Sequence, residues 1–156
     1  MNRNMNTTTQ IANQFKEVFI DGNWVATNLK AQLADVTWEQ ATTKIDSFNT
    51  IAVLVFHLNY YVAGILNVFE GGTLDIRDKY SFDAPSITSK EEWESLMNKT
   101  YQDAERLANH IARMPEEKLV EPFADEKYGN YARNIHGMIG HSYYHLGQIV
   151  LIKKML

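Results

Sequence analysis

The stretch Asn134-Ile135-His136-Gly137-Met138-Ile139-Gly140-His141-Ser142-Tyr143-Tyr144-His145-Leu146-Gly147-Gln148-Ile149-Val150-Leu151-Ile152 carries no charge, yet it holds three of the chain's five histidines. Read as an α-helix, it sends the imidazoles of His141 and His145 from one face, a single turn apart. Two side chains at that spacing can bind one metal ion. So apolar a helix is expected to be buried, and a buried imidazole pair needs a partner from another element.

A second uncharged run supplies it. Thr50 to Phe69 contains no Asp, Glu, Lys or Arg but includes His57. The run is long enough to span a bilayer. His57, Asn59 and Asn67 inside it, and the lack of a polybasic flank, favour a central buried helix and no membrane partner. That helix is expected from about Asp46 to Glu70, with Gly71-Gly72 as its stop. Packed against the last helix, it would bring His57 to His141 and His145, giving three protein ligands and an open position, as in zinc sites that do chemistry. Tyr60, Tyr61 and Gly64 share the face of His57.

The remaining helices are amphipathic. Residues 7–20 place Ile11, Phe15, Val18 and Phe19 on one face, before Asp21-Gly22. A second piece over 24–35, capped by Asn23, repeats Val25, Leu29, Leu33 and Val36. Thr37-Trp38-Glu39-Gln40 offers a capping box for one further turn. Ser89-Lys90-Glu91-Glu92 offers another, opening a helix whose apolar face runs from Trp93 to Ile111. Its other side carries Lys99, Asp103, Arg106 and His110 and is expected to be wet. Between these helices, 73–88 reads as a crossover of about 16 residues, a length at which loops often border a site. Pro115 to Lys127 reads as loop or short turns, and the last helix begins near Asn130. The fold class is therefore all-α: four principal helices around one core, with a long crossover between the second and third, in a single domain over 1–156.

Composition narrows the chemistry. The 156 residues include no cysteine, which excludes disulfides and thiolate ligands. The net charge is −4, and no basic cluster exceeds two neighbours, so a nucleic-acid partner is not expected. The polar first ten residues lack the apolar core of a signal peptide, which makes cytoplasmic location the default expectation. His141-Ser142-Tyr143-Tyr144-His145 lacks the glutamate of zinc proteases, and no Glu-x-x-His pair suggests a di-iron bundle. His110 reads as a surface residue. His136, about 140° around the helix from His141, reads as structural. Gln148, Tyr60 and Tyr61 are candidates to orient a ligand or a bound water. Gly64 and Gly137 leave either close packing or room for a ligand.

These residues resemble the DinB/YfiT-like family of metal-dependent helical bundles. The resemblance rests on Gly22-Asn23-Trp24, Leu33-Ala34-Asp35-Val36-Thr37, Ile51 through His57, and Glu70-Gly71-Gly72. It is strongest in Asn130-Tyr131, Ile135-His136-Gly137 and His141 through Ile149, where His-x-x-x-His is followed by Gly-Gln-Ile. It implies a four-helix bundle with one crossover and a divalent metal, zinc or nickel, on His57, His141 and His145. It also implies frequent homodimers and small-molecule substrates. Some relatives are transferases or an isomerase that use low-molecular-weight thiols. Trp24 and Asn28 join the candidate substrate-side residues. Leu146 departs from the basic or small residue usual in the family before Gly-Gln-Ile. The expected activity is that of a metal-dependent enzyme activating a thiol or water, a thiol S-transferase or a hydrolase. The alternative is a non-catalytic, metal-stabilised bundle or a helical binding module.

Overall fold

Four long helices and two short ones carry the described residues, 6–22 and 24–156, in a computed structural model. They are α1 (Thr7–Phe19), α2 (Leu29–Leu33), α3 (Trp38–Thr42), α4 (Ile51–Phe69), α5 (Lys90–Arg113) and α6 (Tyr131–Met155). Single 3₁₀ turns lie at Asp78–Tyr80, Glu116–Val120 and Glu126–Tyr128. Among the described residues the sole β feature is an isolated bridge between Pro122 and Asn130.

The long helices form a ring. Both α1 and α4 pack on α5 and on α6, which puts α1 across from α4 and α5 across from α6. Apolar faces at helical spacing supply the core. Phe15 and Phe19 of α1 pack with tilted rings, centroids 5.0 Å apart, and both are fully buried. Trp93 is buried as well, and its indole N–H donates to the Val36 carbonyl at 2.9 Å, so no donor is stranded.

Local chemistry sets the helix ends. Thr37 and Gln40 form the expected capping box. Ser89 caps α5, accepting from the Glu92 amide. The Glu92 carboxylate reaches one residue further back than a capping box requires and takes both the amide and the hydroxyl of Thr88. Glycine 71, at φ +90°, takes the left-handed conformation that closes α4. The residue after α5, Met114, is extended because Pro115 follows it.

Four expectations need correction. The second helix is not continuous over 24–35: residues 24–28 turn, with Ala26 at φ +64°, and Asn28 caps a helix of only five residues. The expected Asn23 cap lies outside the described residues. Helix α4 begins at Ile51 instead of Asp46, because Thr50 supplies the cap, accepting from the Val53 amide. Asp103 is not on a wet face. It is 5% exposed, accepts from the Asn59 amide at 2.9 Å, and is covered by Lys99 and Arg106. Finally, α6 is buried on one side only. Gly140, Tyr144, Gly147 and Leu151 face outward, since a helix in a ring has neighbours on its inner side alone.

Helix α4 is long and apolar enough to cross a membrane by length and composition, and most of it is buried within the bundle. The polar residues that interrupt it each have an internal partner. His57 bonds the Ser81 carbonyl, Asn59 bonds Asp103, and Asn67 bonds the Thr73 carbonyl. Tyr60 clasps the crossover: its hydroxyl donates to the Arg77 carbonyl at 3.0 Å and accepts from the Arg77 amide at 2.8 Å.

Candidate metal centre

Where α4 faces α6, His57 meets His141 and His145. The Nε2 atom of His141 lies 3.0 Å from Nε2 of His57 and 3.0 Å from Nε2 of His145. Bonds of about 2.0–2.1 Å at tetrahedral angles would hold neighbouring nitrogens roughly 3.3 Å apart, so the cluster is close to the size a zinc-type ion needs. His57 and His145 are buried and His141 is half-buried.

The opposite edges of two rings are pinned. His57 Nδ1 is 3.0 Å from the Ser81 carbonyl oxygen, which can only accept, so the proton sits on Nδ1. His145 Nδ1 is 2.6 Å from Gln148 Oε1 and donates to it. Both Nε2 atoms are then bare lone pairs aimed at one point. A single N–H on His141 can serve one of them, never both. A cation among the three rings removes that conflict, and outward partners of this kind are what metal-binding histidines use to fix their tautomer. The residues therefore fit a divalent ion held by imidazole nitrogen alone.

Burial keeps the rings neutral, as ligands must be. It pushes the pKa of His57 and of His145 below the ordinary 6.5, opposed by the Ser81 carbonyl and by Gln148 respectively. His141 falls to about 4, through burial first and then its two imidazole neighbours. Aromatic rings enclose the cluster. Phe82 stacks on His57 at 3.8 Å, and Tyr61 sets its ring against both His57 and His141. The Tyr61 hydroxyl donates to Asp78 at 2.8 Å, and burial followed by that carboxylate raises its pKa.

The crossover therefore borders the site, as its length suggested. What sequence reasoning missed is how: through Asp78, the Ser81 carbonyl and the Phe82 ring. A main-chain carbonyl leaves no trace in residue identity. Of the other candidates, Gln148 and Tyr61 touch the cluster, whereas Tyr60 acts on the crossover. Trp24 and Asn28 do not join it. Trp24 is 89% exposed, and the Asn28 side chain is spent on the Ala31 amide and the Gly22 carbonyl. His110 faces Glu70 on the surface, and His136 is exposed.

The two glycines part company. A Cβ on Gly64 would strike Ile76 of the crossover at 2.5 Å, so Gly64 serves close packing. A Cβ on Gly137 would meet nothing within 4 Å. Gly137 instead floors a groove of about 540 Å³ between α4 and α6, lined by Tyr61, Ile65, Arg133, Asn134, Met138 and His141. A larger depression of about 680 Å³ lies against α5 around Trp38, Trp93 and Tyr101. It contains no histidine, so size does not mark the site here.

A profile of the DinB superfamily matches residues 23–149, well over half of the chain. The chain belongs to the DinB superfamily. Comparison with the curated proteins and with the solved structures gives no significant match.

Proposed function

We propose that this protein is a divalent-metal-dependent enzyme that uses a thiol or water nucleophile on a small molecule, with zinc or nickel held by His57, His141 and His145. The observation that carries the reading is the convergence of three Nε2 atoms at the edge of a groove, with the far nitrogens of two rings already committed. A divalent ion held there would supply Lewis acidity, enough to make a coordinated water or thiol lose its proton near neutral pH.

The chain's own residues do the rest. Ser81 and Gln148 hold two imidazoles with their lone pairs inward. Tyr61 walls the groove and keeps its proton, since burial and Asp78 both oppose ionisation. Phe82 stacks on the His57 ring and helps fix its plane. No Asp or Glu lines the groove. Transfer by a nucleophile acidified at the cluster is thus favoured over a reaction that needs a separate carboxylate base.

A second reading, a metal that only stabilises the bundle, is favoured by the burial of His57 and His145 and by the clasped crossover. Metal analysis by plasma mass spectrometry on tag-free protein comes first, beside His57→Ala and His145→Ala. About one divalent ion per chain, lost in both variants, is expected. A screen of small thiols against model electrophiles then separates the two readings. Turnover that disappears with chelator supports the enzyme; metal content with no turnover supports the structural role.

A further inference from the structure

The groove that reaches His141 has a cation at its other end. Arg133 is the one formally charged residue in its lining, and it forms no ion pair with any described residue. Of the other cations lining the described depressions, Lys90, Lys99 and Arg106 have carboxylate partners and Lys30 stands beside Asp35 and Glu39, which leaves Arg113, near His110, as the other without one. Nor does helix stability account for Arg133. It is the third residue of α6, where a positive charge opposes the helix dipole. Its chain folds back over Gly129, whose missing side chain makes room: a Cβ there would lie 2.6 Å from Arg133 Cδ.

Arg133, Gly137 and His141 are spaced by four residues each, so they line up along one face of α6. The two ends are separated by about 12 Å of helix rise. Between them Gly137 leaves the floor open, with Ile65 and Met138 as apolar walls. At the histidine end, the Tyr61 hydroxyl donates to Asp78. The groove therefore offers an anion a fixed, unpaired positive charge at Arg133, across an apolar middle from the cluster.

Resting on the metal-dependent reading above, we infer that the groove binds an elongated, carboxylate-bearing small molecule, its carboxylate on Arg133 and its reacting end at the histidines. A guanidinium holds a carboxylate by two parallel hydrogen bonds, which fixes direction as well as position. The molecule's apolar middle crosses Gly137.

The test uses 8-mercaptooctanoate, its neutral amide and plain octanoate as probes, titrated calorimetrically into the full chain loaded with zinc. For wild type the thiol carboxylate is expected to bind about five- to tenfold more tightly than the thiol amide, a preference that shrinks in high salt. Arg133→Gln should erase the preference, and Arg133→Lys should keep part of it. Gly137→Leu, which suits a helix and leaves Arg133 intact, should weaken all three probes. Equal binding of acid and amide by wild type, or a preference that survives Arg133→Gln, overturns the inference. Octanoate separates it from the metal reading. A thiol that binds no better than octanoate, with the Arg133-dependent preference intact, supports the groove and removes the metal reading. Zinc-dependent thiol binding with no acid preference does the reverse.

Discussion

The His57 ring donates its Nδ1–H to the Ser81 carbonyl oxygen at 3.0 Å, so a loop main-chain atom fixes the tautomer of a helix residue. His145 is fixed from within its own helix, by Gln148 at 2.6 Å. Removing either support leaves all three candidate ligands in place while letting a ring turn. Gln148→Leu takes away the acceptor on His145. Tyr60→Phe takes away the hydroxyl that clasps Arg77 and holds the crossover to α4. Gln148→Leu is expected to weaken zinc binding by about 10–100-fold, the usual effect of losing an outer partner of a metal-binding histidine, and Tyr60→Phe by less, because the Ser81 carbonyl itself remains. Competition against a chromophoric chelator measures it. Unchanged affinity in both would mean that the three rings are positioned by packing alone.

The Asn59–Asp103 pair makes a separate prediction about stability. Both side chains are buried, and the Asn59 amide is the donor that α4 offers to the carboxylate. Asn59→Leu should destabilise the protein by about 1–3 kcal/mol, because the acceptor loses a partner in a place water reaches poorly. The double change Asn59→Leu with Asp103→Leu should cost less than the sum of the single changes, since it leaves no polar atom stranded. Urea unfolding of the four proteins tests this. Additive losses would show that the bond carries no coupling.

The long helices, their bundling around one core and the histidine trio were legible because each rests on periodicity or spacing. Residues four apart on α6 share a face whatever surrounds them, and two uncharged helices in one chain find each other in the core. The parts that were not legible depend on contacts between elements. The solvated face assigned to Asp103 follows correctly from the pattern of α5 alone; Asn59, on another helix, overturns it. The broken second helix turns on Asn28, which is an ordinary residue until its side chain is seen to take the Ala31 amide. Phe82 and Ser81 reach His57 through the path of the crossover, which no local pattern encodes.

Two glycines that look alike in sequence should respond in opposite ways. Gly137 has helical neighbours and open space at its Cβ position, so Gly137→Ala should raise stability by up to about 1 kcal/mol through helix propensity. Gly64→Val brings two methyl groups against Ile76, which already lies 2.5 Å from the ideal Cβ. Overpacking of that kind typically costs about 1–3 kcal/mol. Because the displaced segment carries Ser81, Gly64→Val should also weaken zinc binding, which Gly137→Ala should not. Thermal or urea midpoints with and without zinc distinguish the two. A Gly64→Val protein as stable as wild type would show that the crossover yields without cost.

Acid should destabilise the metal-free protein before its carboxylates titrate. All three clustered histidines are held below the ordinary imidazole value by burial, and His141 lies lowest, at about 4. The unfolded chain takes up these protons near pH 6.5, whereas the folded chain resists them. Between those limits the unfolded state binds more protons, so stability is full above pH 6.5 and falls as the pH drops towards 4. Bound metal acts in the same direction, since protons compete for the same nitrogens. The urea midpoint in excess chelator should therefore decline from pH 7 to pH 5. His141→Asn, which keeps a polar side chain without an imidazole, should flatten part of that decline. With zinc present, the wild-type midpoint should rise most above pH 6.5 and lose that gain in the same window. An identical pH slope for wild type and His141→Asn, with chelator and with zinc, would mean that the cluster does not resist protonation in the folded protein.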